Sequence, residues 1–406
     1  KPQLIGYGGA LSASFGERYL PHVTTEERQR ITAHNATLQR QIDELKAQPA
    51  SPEVTQRLQQ LEASKKPDPR LFALWDRGEP SPTYVYRRGD YQHAGTVVTA
   101  GPPAVLMRDG KPFTVTPPYA GATSTGRRFT FAKWLTQPDH PLTARVLVNR
   151  VWKHHFGHGL VRSVGNFGIT GDRPTHPELL DWLACDFVQQ GWSLKALHRA
   201  IMTSRTYRQR SVRSSNEVDP DNRLLSRMPL RRMEAEVVLD SLRAVAGELD
   251  DTAYGPPVAV TVRPDGLVLA GHRRSIYAQQ LRKHPPSLLE SFDLPAMNPN
   301  CLQRTESLVA PQALHLMNDT GVRGLANHCS RRIIAEVGRD PVQQIERLYW
   351  TALSRPPTAD ELRDCNAVWN QLHAEWNARG DADPAQRSLA TLCHTIMNSA
   401  AFLYVD

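Results

Sequence analysis

Residues 126–204 read GRRFTFAKWLTQPDHPLTARVLVNRVWKHHFGHGLVRSVGNFGITGDRPTHPELLDWLACDFVQQGWSLKALHRAIMTS, and this run decides the fold. It is the densest stretch of Trp, His, Arg and Asn in the chain and holds its clearest succession of helix signals. Phe129, Phe131, Trp134 and Leu135 space as a short amphipathic helix that stops before Pro138. Thr143 opens a second helix, with Val146, Leu147, Val151 and Trp152 as its apolar positions. Asn149, Arg150, Lys153 and His154 project between them, and Gly157 with Gly159 ends it. Thr175 is expected to cap a third helix, with Pro177 and Glu178 in its first turn, Leu179, Leu180, Trp182, Leu183 and Phe187 as its core face, and Gly191 after it. Ser193 caps a fourth, which runs to Ser204.

Working outward, residues 1–23 read as irregular, and Thr25 caps a helix carrying Ile31, Leu38, Ile42 and Leu45. Pro49 and Pro52 break it, a second helix follows from Glu53, and the two make a helical hairpin. Leu71 to Trp75 is apolar, Thr83 to Tyr86 alternates as a strand, and Gly95 to Val98 continues a small β-rich module. In it Arg88, Asp90 and Tyr91 could form a polar site, but Arg87-Arg-Gly-Asp90 reads first as a turn with a local ion pair. Downstream, Arg231 to Glu248 has helical spacing, Ser275 to Tyr277 suggests a strand, Pro311 to Met317 a helix, and the tail from Val322 three or four more. The fold class is therefore mainly α: a multi-helix core with an N-terminal helical hairpin, a small β-rich module and a β-containing insertion. The expected divisions are 1–70 (tail of a preceding domain and hairpin spacer), 71–125 (β-rich module), 126–250 (central helical domain), 251–300 (β-containing insertion and loop) and 301–406 (C-terminal helical bundle).

The 406 residues, 40% of them hydrophobic, are ample for a buried core. The formal net charge of +8 favours polyanionic partners, although a solvated surface with an Arg bias explains it equally well. No block of five Lys or Arg marks a nucleic-acid arm, and no apolar run is long enough to span a membrane. The five cysteines include no C-x-x-C pair, which argues against a zinc ribbon or a covalent haem in this chain. The chain opens at Lys1 without Met or a signal peptide, as an excised piece of a longer protein would.

Two constellations carry chemistry. His154, His155, His158 and His176 form the densest histidine group. Were a metal held, His154, His158 and His176 would be its ligands, but Gly157 interrupts the helix between the first two, and the expectation is no metal. Histidines that bridge backbone groups and stack on Trp152 are the alternative. Arg127, Arg128, Arg145, Arg150 and Arg162 make the second group, with Trp134 and Trp152 nearby. Guanidinium forks grip carboxylates and sulfates while indole faces stack on sugar rings, so Arg128, Arg145, Trp134 and Trp152 are candidate binders of an acidic glycan. Internal pairs tying helices together are the alternative. Arg150, His154 and His155 are the candidate catalytic residues, and whether the chain is an enzyme stays open. Cys301, before Arg304, reads as a buried structural cysteine.

The stretch from Arg127 through GWSLKALHRAIMTSRTYRQ, with YVYRRGDYQHAG, DPDNRLLSRMPLRRMEAEVVLDSL, RRSIYAQQLR, CLQRTESLVAPQALHLMN and LSRPPTADEL, resembles the C-terminal domain of unknown function of large planctomycete proteins. In that family it commonly follows a cytochrome c domain. The resemblance implies an exported, periplasmic or extracellular chain beside a cytochrome c domain or chain, with haem c on that partner and no cofactor here. It implies no established mechanism. Together with the charge, it leads to redox-coupled processing or binding of acidic polysaccharide, or alternatively to a non-catalytic scaffold docking a cytochrome or other surface protein; nucleic acid ranks last. The ending NSAAFLYVD departs from the more usual NSNEFLYVD, so Ala400 and Ala401 replace an Asn and a Glu.

Overall fold

A computed structural model describes residues 19–21, 25–49, 51–67, 70–72, 82–107, 113–122, 124–212, 219–296 and 301–405. The apolar run from Ala73 to Trp75 and the residues just before Cys301 lie outside the described residues. The chain divides into two compact units, 1–140 and 141–406.

In the first unit, β1 (Tyr19–Pro21) precedes α1 (Thr25–Lys46) and α2 (Pro52–Ser64), and β2 (Arg70–Phe72) returns antiparallel to β1. β1 falls where the sequence reads as irregular, because its partner is remote along the chain and leaves no local periodicity. The helical hairpin is as expected: Leu38, Ile42 and Leu61 bury its seam, and Ser51 caps α2 by accepting from the Val54 amide. Asn35 locks the hairpin's open end by exchanging two hydrogen bonds with the Lys66 backbone. β3 (Thr83–Tyr86) and β4 (Ala94–Val98) pair around the Arg87–Gly89 turn, where Arg88 takes a positive φ of 51°. Asp90 accepts there from His93 at 2.7 Å, so the local ion pair uses His93 rather than an arginine. α3 (Arg127–Leu135) closes the unit with Trp134 buried against Phe131 and His140.

The second unit has two apolar cores. The smaller joins α4 (Thr143–Phe156), α5 (Pro177–Gln189) and α6 (Leu194–Met202) through Val148, Trp152, Phe156, Leu183, Phe187, Leu197 and Ile201. Ser193 caps α6 through the Ala196 amide, as its position predicts. Thr175 does not cap α5. His176 occupies that position without a side-chain capping bond, and Thr175 donates its amide to Leu160 O at 2.9 Å.

Next come β5 (Arg231–Arg232), α7 (Ala235–Ala246), a β6–β7 hairpin (Thr261–Val262, Val268–Leu269), α8 (Ser287–Ser291), α9 (Ala310–Asn318), α10 (Thr320–Val337), α11 (Pro341–Leu353), α12 (Ala359–Ala378), α13 (Pro384–Met397), α14 (Ala400–Leu403) and β8 (Tyr404–Val405). The larger core lies among these helices, with Val238, Leu242, Leu289, Ile333, Ile345, Leu348, Leu389 and Met397 essentially inaccessible. The helix expected from Arg231 begins only at Ala235, because Arg231 and Arg232 pair as a strand with Val405 and Tyr404. Ser275–Tyr277 is a single helical turn rather than a strand: the Asp240 carboxylate accepts from both the amide and the hydroxyl of Ser275 and fixes the bend. The mainly α class stands, and the sheets among the described residues are two-stranded. No helix among them is long and apolar enough to cross a membrane. Ala400 and Ala401 are exposed in the first turn of α14, where Ser399 provides the cap.

Candidate functional site

The site is built at the C-terminal end of α4. Gly157 takes a φ of 80° and turns the chain out of the helix, its amide capping Lys153 O. The segment that follows returns to α4 through Asn149, which the sequence places among projecting residues but which is wholly buried. Its amide donates to Val161 O at 2.9 Å, and its oxygen accepts from Val161 N at 2.8 Å. This clamp leaves Gly159 no room for a Cβ, which would stand 2.6 Å from the Asn149 amide. It fixes the loop that carries His158.

Arg231 approaches from β5 and donates to the carbonyls of His154 and His155 at 2.6 and 3.3 Å, satisfying orphan groups at the negative end of α4. Lys153 reaches across to Leu302 O at 3.0 Å. The 301–309 segment is held from beneath: Asp293 accepts from the Ser307 amide and hydroxyl and from Arg232, which also donates to Ser307 O. Arg304 binds Glu236 with two bonds of 2.6 and 2.9 Å and lies 3.5 Å from Glu234. Burial pushes the Glu236 carboxyl up, but the Arg304 bonds outweigh it and hold the group below its usual value.

These parts enclose a cleft of about 1010 Å³ lined by Lys153, His154, His158, Arg231, Glu234, Glu236, Arg304 and Glu306 among others. Burial lowers the pKa of both histidines, reinforced by Lys153 at His154 and by Arg162 at His158. Both rings therefore favour the neutral form, able to donate and accept hydrogen bonds. Cys301 also lines the cleft and is exposed rather than buried, because it opens a segment without regular structure; its Sγ reaches only Gln303 O.

The sequence-derived candidates within the second unit do not converge on one point. His154 faces the cleft, whereas His155 points to His198, with 2.8 Å between ring nitrogens, and sits edge-on to Tyr207. Arg150 is exposed, with no hydrogen bond or ion pair to any described residue, and lines neither cavity. Trp152 is stacked on Phe156 in the smaller core. Arg145 is tied to Asp181 and Pro141 O. Arg128 and Trp134 belong to the first unit. His176 meets Thr175 Oγ1 at 3.0 Å. No group of three or more His, Cys, Asp or Glu among the described residues is placed to hold a metal ion.

Glu234, Glu236 and Arg231 escaped the sequence reading, which took RRMEAE as the start of a helix. The available signal was the density of charge in RRMEAE and in CLQRTE, two motifs that the fold brings face to face. No curated protein matches the chain, and no solved structure does. The family model of PSD1, a protein of unknown function (DUF1553), matches residues 127–369, more than half of the sequence, and the chain belongs to that family.

Proposed function

We propose that the chain binds acidic polysaccharide in the cleft at the end of α4, as an exported protein working beside a cytochrome c domain or chain. The observation that carries the reading is the pairing pattern. Lys153 and Arg231 donate to backbone carbonyls and make no ion pair with a carboxylate among the described residues, although Glu234 and Glu306 also line the cleft, while neutral-leaning His154 and His158 stand beside them. Such a mixture suits a chain of sugars that offers both carboxylates and hydroxyls. Any redox-coupled processing of the glycan would draw on haem c of the partner. A docking scaffold is the second reading, favoured by Arg145 and Trp152 being tied to their own neighbours.

Calorimetric titration with an oligogalacturonide and with a neutral oligosaccharide of equal length tests the reading. The acidic oligomer alone should bind, more weakly as salt rises, and Lys153→Ala should weaken it about tenfold, or 1.4 kcal/mol. Equal binding of the neutral oligomer, or no binding of either, overturns it.

A further inference from the structure

A second cavity of about 350 Å³ adjoins the cleft, and the two share Phe156, His158, Pro229 and Leu230. Its accessible apolar lining is Leu225, Pro229 and Leu230, while Trp152, Phe156 and Leu160 beneath are each at most 5% exposed. Its wall is the 219–230 loop, which is knitted to itself. The Asp219 carboxylate accepts from the Arg223 and Leu224 amides at 2.8 and 2.7 Å, and Arg227 donates to the carbonyls of Asp219 and Pro220. Asn222 and Leu225 hold positive φ angles of 48° and 57°, a region that asparagine tolerates and leucine rarely enters. The wall is therefore preorganised. Arg162 lines this cavity, half-buried, and its side chain makes no hydrogen bond or ion pair to any described residue. A guanidinium so placed has the geometry to grip an anion at two points.

We infer that the glycan is bound end-on, with a terminal uronic acid unit seated in this cavity, its carboxylate on Arg162 and the apolar face of its ring against Leu225, Pro229 and Leu230. The inference rests on the acidic-glycan reading and names the unit that the site takes. A volume of about 350 Å³ holds roughly one substituted ring, against several in the larger cleft, so this cavity takes a single unit and the cleft the rest of the chain.

The test uses the full chain and oligogalacturonides of defined length, intact or with the carboxyl of one terminal unit, at either end, reduced to the alcohol. Reduction at one end should weaken binding about tenfold, reduction at an internal unit much less, and affinity per chain should level off with length. Arg162→Gln should bind the intact and end-reduced oligomers equally. If intact oligomers bind but end and internal reductions act alike, end-on binding falls and the acidic-glycan reading stands. If no oligogalacturonide binds, both fall.

Discussion

The two cores of the second unit handle charge in opposite ways. In the helical bundle, charges close on one another: Arg339 binds Asp383 twice, Arg355 binds Glu361 twice, and Glu336 lies between Arg332 and Arg347. Around the smaller core, Lys153 and Arg231 end on backbone carbonyls, and the side chains of Arg150, His158 and Arg162 make no hydrogen bond or ion pair with any described residue. Exposed pairs like those of the bundle add little stability. Their effect is that the bundle presents few uncommitted cations, whereas the α4–α6 region presents several beside two cavities. Bulk of apolar core and readiness for an anionic ligand are thus assigned to different helices.

The comparison breaks first if the two roles cannot be separated. Ile345→Ala, in the bundle core, should cost about 3–4 kcal/mol in urea unfolding, yet leave glycan affinity of the folded protein unchanged. A parallel loss of affinity would show that the bundle shapes the cleft directly. Asn149→Ala should cost about 2–3 kcal/mol, because it strands both Val161 backbone groups, and should also weaken binding by releasing the His158 loop. Arg304→Ala should cost about 1–2 kcal/mol by the same measurement, having lost a two-bond partner of a half-buried carboxylate.

Acid should separate the regions by pH. Burial lowers His154, His155 and His158 below the ordinary 6.5, so the folded state binds fewer protons than the unfolded one there. Their contribution is complete above 6.5 and is lost as pH falls below it. Glu361, depressed to about 2 chiefly by Arg355, contributes above 4.5 and loses its contribution between 4.5 and about 2. Amide protection, corrected for the intrinsic pH dependence of exchange, should therefore fall in α4 at mildly acid pH, while the α11–α12 junction holds until lower pH; simultaneous loss would sink the distinction. The smallest effect belongs to Arg339→Ala, whose exposed pair should shift stability by no more than about 0.5 kcal/mol.

The helices were legible because their causes are local. Apolar spacing marks α4 through α6, Gly157 ends α4, and Ser193 caps α6 within three residues. What escaped was set at long range. Arg231 and Arg232 carry no local sign of a strand, since their partners are Tyr404 and Val405. The histidine cluster was visible as a cluster, but helical geometry splits it: His154 and His155 are neighbours in sequence and point to different partners. Asn149 looked like a surface residue because nothing nearby announces that Val161 will fold back onto it.

The β5–β8 pairing has a consequence for the order in which the molecule is made. Arg231 is seated on the end of α4 from a strand whose partner is translated only after α7 to α14. On the ribosome, α4 to α6 can pack long before that partner emerges. The cleft therefore acquires its full set of walls late, and a nascent chain stalled before Tyr404 would carry folded helices around an unfinished site.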